Sequence, residues 1–171
     1  MQKTLTDERF DFVSARDKEF IVAFDDAITA AGYEGSGIVP YVCLGKYKVE
    51  YGKAGLKNKK IVARFYFRDE GLAFRLCFSN IAKHREYIEN APEFIKDPFV
   101  NDSGKCKQCD KNGGGIGKKG HCSFKKSYII DSVLHEKCAG ESYYFDHHSK
   151  EDIPQYIALL STFYPERKHA Q

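Results

Sequence analysis

IVARFYFRDEGLAFRLCF, residues 61–78, decides the fold. Its first arm sets Ile61, Ala63, Phe65 and Phe67 at alternate positions, and its second does the same with Leu72, Phe74, Leu76 and Phe78. Asp69-Glu70-Gly71 lies between them and carries the composition of a tight turn. Strand side chains alternate between two faces, so two period-two arms joined by such a turn predict an antiparallel hairpin with one apolar face.

Upstream, Tyr47, Val49 and Tyr51 alternate with Lys46, Lys48 and Glu50, which adds a strand before the Gly/Lys/Asn-rich turn at 52–60. Earlier still, Phe20, Ile21, Phe24, Ile28 and Ala31 recur at helical spacing. Ser14, with Asp17 three residues on, reads as that helix's N-cap and Gly32 as its stop. Downstream, Ser79 or Asn80 caps a helix through Ile81, His84, Tyr87 and Ile88. Pro92 interrupts it or starts a second short turn, and Pro98 ends the region. Strands are expected again at 124–130, 133–138 and 141–145, the first two joined at Asp131-Ser132. Ser149 with Asp152 caps a last helix, whose apolar face is Ile153, Tyr156, Ile157 and Leu160.

The order predicts an α+β fold. An antiparallel sheet would come from two three-strand meanders, each followed by a helix, with an N-terminal helix and a cysteine-rich zinc loop. A length of 171 residues suits a single domain, 1–171, with a helix–meander–helix half at 1–100 and the loop, second meander and last helix at 101–171. Hydrophobic residues at 42% and charged residues at 30% are ordinary for a chain that buries a core. No apolar run approaches the roughly 18 residues of a membrane span. The N-terminal MQKTLTDERFDF has no apolar stretch of a secretory signal. The expected compartment is therefore the cytoplasm, where cysteines serve as ligands more often than as disulfides.

Net charge is +3, unevenly spread. From Gly104 to Lys126 there are seven lysines, Lys105, Lys107, Lys111, Lys118, Lys119, Lys125 and Lys126, against Asp110. That segment sums to +6, leaving −3 for the remainder.

The same segment carries Cys106-Lys-Gln-Cys109, a pair able to grip one side of a zinc ion, which prefers thiolates in tetrahedral geometry. Cys122 and Cys138 sit at the open ends of the hairpin around Asp131-Ser132 and complete four ligands with C-x2-C-x12-C-x15-C spacing. Neighbouring lysines favour the thiolate form. An iron–sulfur cluster accepts the same four groups, disulfides or inert thiols are the blander readings, and His121 could replace one cysteine. Cys43 and Cys77 fall in strands and read as packed side chains.

Other motifs carry less. Gly115-x-Gly117-x-x-Gly120 matches a dinucleotide fingerprint but lies inside the cysteine loop, not between a strand and a helix. Asp146-His147-His148 could bind metal, although adjacent side chains point in different directions. His84-Arg-Glu86 followed by Cys106-x-x-Cys109 resembles the cytidine and adenosine deaminase signature. The resemblance implies His84, Cys106 and Cys109 as zinc ligands and Glu86 as proton carrier. It covers those residues alone: no proline precedes Cys106, and Cys122 and Cys138 are left unused.

Three functions follow. The first is a zinc-stabilised, non-enzymatic binding or regulatory domain for a small molecule or protein. The second is a nucleic-acid-binding module. Its contacts would be Lys105, Lys107, Lys118, Lys119, Lys125 and Lys126, helped by a basic sheet face with Arg64, Tyr66, Arg68 and Arg75. The third is a zinc hydrolase or deaminase.

Overall fold

A computed structural model describes residues 1–40, 45–53, 60–101, 125–137 and 141–165, without the side chains of residues 2 and 3. Within these residues the chain is α+β, with mostly antiparallel strand pairing. It divides into two compact units, residues 1–76 with 145–171, and residues 77–144. None of the described helices is long and apolar enough to cross a membrane.

The first unit begins with the short α1 (Gln2–Leu5). Ser14 then opens α2 (Ala15–Ala30), its Oγ accepting the Asp17 N–H at 3.1 Å, and a left-handed Gly32 follows the end. The strands are β1 (Tyr33–Gly35), β2 (Val39–Pro40), β3 (Tyr47–Lys53), β4 (Ile61–Arg68) and β5 (Gly71–Cys77). They run in the order β1-β3-β4-β5, with β2 also on β3. The hairpin of residues 61–78 forms as its alternation requires, with Phe65 directly opposite Phe74. These rings stack at 5.0 Å, and Phe24 of α2 meets Phe74 edge-on at 4.9 Å. Aromatic pairs in such geometries stabilise beyond their buried area, so helix and sheet are held by ring contacts as well as by exclusion of water. The last helix, α5 (Ile153–Phe163), buries Tyr156, Leu159 and Leu160 in the same unit.

The opposite sheet face differs from the exposed basic surface expected of Arg64, Tyr66, Arg68 and Arg75. Tyr66 is buried and the three arginines are half-buried. Arg64 stands directly opposite Arg75, a like-charge pair relieved by Glu50 on β3, which lies 2.9 Å from Arg64 and 3.2 Å from Lys48. The Arg75 guanidinium lies 5.6 Å from the Tyr66 ring centroid. Long arginine stems lie along apolar surface, so a charged strand face need not be a wet one.

In the second unit, Asn80 is left-handed and precedes a 3-10 turn at Ile81–His84, which runs into α3 (Arg85–Glu89). Pro92 caps α4 (Glu93–Val100). Pro98 sits inside this helix instead of ending the region, at the cost of one backbone donor near its C-terminus. β6 (Lys126–Ile130) and β7 (Val133–Lys137) form a two-stranded sheet of their own. β8 (Ser142–Phe145) is not part of that pair, so the second meander appears here as a hairpin.

Asp131 and Ser132 have φ of 49° and 64°, the two left-handed positions of a turn that matches strand twist. Neither is glycine, and Asp131 is pinned from outside the hairpin. Its N–H donates to Glu89 Oε1 at 2.7 Å, and its carboxylate takes Lys96 Nζ at 3.0 Å.

Candidate metal centre and its borders

Cys106, Cys109, Cys122 and Cys138 lie outside the described residues. So do Cys43, His121, Lys105, Lys107, Lys118 and Lys119. What the structure gives is the frame from which the cysteine-bearing segments leave and to which they return.

Four residues border them: Asn101 at the end of α4, Lys125 before β6, Lys137 at the end of β7, and Glu141 before β8. The hairpin register sets Lys126 opposite Lys137, so the entry to one strand and the exit from the other are neighbours. Lys137 is 5% exposed. Its ammonium donates to the Asn101 backbone carbonyl and, at 3.0 Å, to Asn101 Oδ1. Asn101, Lys125 and Lys137, three of the four borders, therefore meet at one corner of the second unit. Cys138 follows Lys137 directly, Cys122 precedes Lys125 by three residues, and Cys106 follows Asn101 by five.

Lys125 and Lys126 are exposed there, and Lys125 pairs with Glu136 at 2.6 Å. Cys77 is buried in β5, as read from the strand pattern. His84 is half-exposed, and burial, then Lys83, lowers its pKa. Glu86 is exposed in the first turn of α3.

In the first unit the two histidines of Asp146-His147-His148 diverge. His147 Nδ1 lies 3.7 Å from Asp152, while His148 lies 3.2 Å from both Asp17 Oδ1 and the Phe145 carbonyl and stacks on Phe20 at 5.4 Å. His148 is thus a partnered packing residue. Among the described residues no three His, Cys, Asp or Glu side chains are grouped to hold a metal ion.

Two of the residues that define the corner, Lys137 and Asn101, are not candidates from sequence. The signal for Lys137 was present: with Tyr128 and Ile130 facing inward, the hairpin register carries Lys137 to the same inward side. Asn101 had none, because its partner is 36 residues away.

No family model matches the chain, and no curated protein or solved structure matches it. Fold and borders together define an α+β chain whose second unit gathers three of the four ends of its cysteine-bearing segments at one corner.

Proposed function

We propose that this is a zinc-stabilised, non-enzymatic binding or regulatory domain of the cytoplasm, with Cys106, Cys109, Cys122 and Cys138 as a structural four-thiolate site. The observation that carries the reading is the corner at which Asn101, Lys125 and Lys137 bring the segment ends together. Zinc bound by four thiolates has a net charge of −2, and the buried Lys137 ammonium, one residue from Cys138, supplies compensating charge. Four protein ligands fill the tetrahedron and leave no position for a reactive water, so the metal would act on stability and not on chemistry. It would close the polar, glycine-rich loop onto the hairpin, work that so few apolar residues cannot do.

Ligand substitution tests the assignment. Cys122→Ser and Cys138→Ser each lose zinc, while His84→Ala and Glu86→Gln keep a full equivalent. Zinc retained without Cys122 or Cys138 but lost with His84 would instead support the deaminase-like site.

A second reading, nucleic-acid binding, is favoured by the exposed Lys125 and Lys126 beside the lysine-rich segment. It requires affinity for an oligonucleotide to fall steeply between about 50 and 200 mM salt; a flat response would exclude it.

A further inference from the structure

Among the described residues only three large hydrophobic side chains are exposed, and all three belong to the β6–β7 hairpin: Ile129 at 46%, Val133 at 55% and Leu134 at 63%. Ile129 stands directly opposite Leu134, so the two make one apolar patch on the outward face. The inward face is occupied: Tyr128 and Ile130 are buried, and the Tyr128 hydroxyl donates to the Phe99 carbonyl at 2.7 Å. Asp131 is held by Glu89 and Lys96, and Lys137 by Asn101, so the hairpin is fixed at its tip and at its open end. Its exposed residues are thus set in place before anything binds, which lowers the ordering cost of a complex.

The turn determines which backbone groups look outward. A two-residue turn with both residues left-handed closes on a hydrogen-bonded pair, here Ile130 and Val133. Hydrogen-bonded and non-hydrogen-bonded pairs alternate along an antiparallel ladder. Val133, His135 and Lys137 therefore bond to β6, whereas the N–H and C=O groups of Leu134 and Glu136 point away from it. α3 and the 3-10 turn lie beside β6. Among the described residues no strand pairs with the far edge of β7, and nothing bonds to those four backbone groups. Unpaired edge groups beside an exposed leucine form a template for one more strand.

A second copy of the chain fits this edge poorly. Antiparallel self-pairing through the outward residues has three registers. Glu136 on Glu136 sets two carboxylates face to face, and Leu134 on Glu136 sets each leucine beside a carboxylate. Leu134 on Leu134 brings Glu136 against the left-handed Ser132, which cannot extend the ladder. A foreign strand is free of these constraints. Opposite Leu134 it would set an apolar residue that also covers Ile129. Opposite Glu136, already paired with Lys125 at 2.6 Å, it needs no charge.

We propose that the free edge of β7 docks an extended, uncharged and apolar segment of a partner protein, which joins the hairpin as a third strand in the stronger, antiparallel sense. The proposal deepens the binding-domain reading by naming the partner class, and rests on it for the claim that the domain works by binding.

The test is amide hydrogen exchange and ¹H–¹⁵N shift titration of the full chain with the capped peptide acetyl-Ser-Thr-Thr-Val-Val-Ser-amide. In the free chain the amides of Leu134 and Glu136 should exchange fast, and those of Val133, His135 and Lys137 slowly. The peptide should give saturable shifts at residues 133–137 and slow the two fast amides. Leu134→Pro deletes one outward N–H without touching the β6 ladder, and Leu134→Thr keeps the strand while removing apolar surface. Each should weaken binding about tenfold. N-methylation of the peptide's first threonine and first valine, whose N–H groups face β7, should abolish binding; methylation of the second threonine and second valine should not. The proposal is overturned by slow exchange of both amides in the free chain, by absence of saturable shifts, or by equal binding of the two methylated peptides. A dimer of the chain alone, seen by sedimentation and dissolved by Leu134→Pro, would also overturn it. Zinc measured on the same sample separates the two readings. Peptide binding by protein that lacks zinc upholds the docking edge while the metal site falls, and zinc-loaded protein without shifts overturns the docking edge alone.

Discussion

The Lys137 ammonium donates to both oxygens that Asn101 offers, its backbone carbonyl and its side-chain Oδ1, and so joins the last residue of β7 to the end of α4. Both residues stand at the edge of a cysteine-bearing segment. A buried lysine survives only with its protons bonded, and its removal leaves the accepting oxygens dry.

Lys137→Met keeps the length and apolar stem of the side chain but deletes the donor. It is expected to destabilise the chain by about 1–3 kcal/mol, read as a lower denaturant midpoint at unchanged slope. It should also weaken zinc retention in a chelator titration, because a compensating charge beside Cys138 is lost. Unchanged stability would mean that the corner is not held by this bond.

The turn at Asp131-Ser132 gives a prediction of opposite sign. Ser132 holds a φ of 64°, which costs a residue with a Cβ about 1 kcal/mol and costs glycine almost nothing. Ser132→Gly should therefore stabilise by up to about 1 kcal/mol despite the added freedom of the unfolded chain, as measured by urea unfolding. A loss of stability would show that the turn does not hold these angles in solution.

Such details mark where sequence reading succeeds and stops. The hairpin of residues 61–78 was legible because alternation, turn composition and aromatic content agreed, and α2 because Ser14 and Gly32 bracketed a clear apolar stripe. Pro98 misleads because a proline is expected to end a segment, whereas a helix can lose one donor within its last turn and continue to Val100. Arg64, Arg68 and Arg75 share a sheet face as alternation requires, but alternation does not say what that face meets, and Glu50 and Tyr66 draw the cations down. The four cysteines were visible as a spacing. The corner that gathers their segments depends on a bond across 36 residues, which no local pattern encodes.

Alkaline pH offers a check on the core. Burial raises the pKa values of Tyr51, Tyr143 and Tyr156 well above the ordinary 10.0, and that of Tyr128 to about 12. In the unfolded chain these phenols ionise near pH 10, so above it the unfolded state binds fewer protons than the folded one and stability falls as pH rises. Below about pH 10 they contribute no pH dependence. A spectrophotometric titration should show ionisation of these four phenols only in a cooperative step that coincides with loss of the circular dichroism signal. Smooth ionisation of all 11 tyrosines before any unfolding would contradict their burial.

The most direct measurement is the metal content of the purified protein by plasma mass spectrometry, alongside Cys138→Ser. About one zinc per chain in the parent and little in the variant is the expected result for a four-cysteine site with Cys138 as a ligand. A parent that carries no metal, or a variant that keeps a full equivalent, would contradict it.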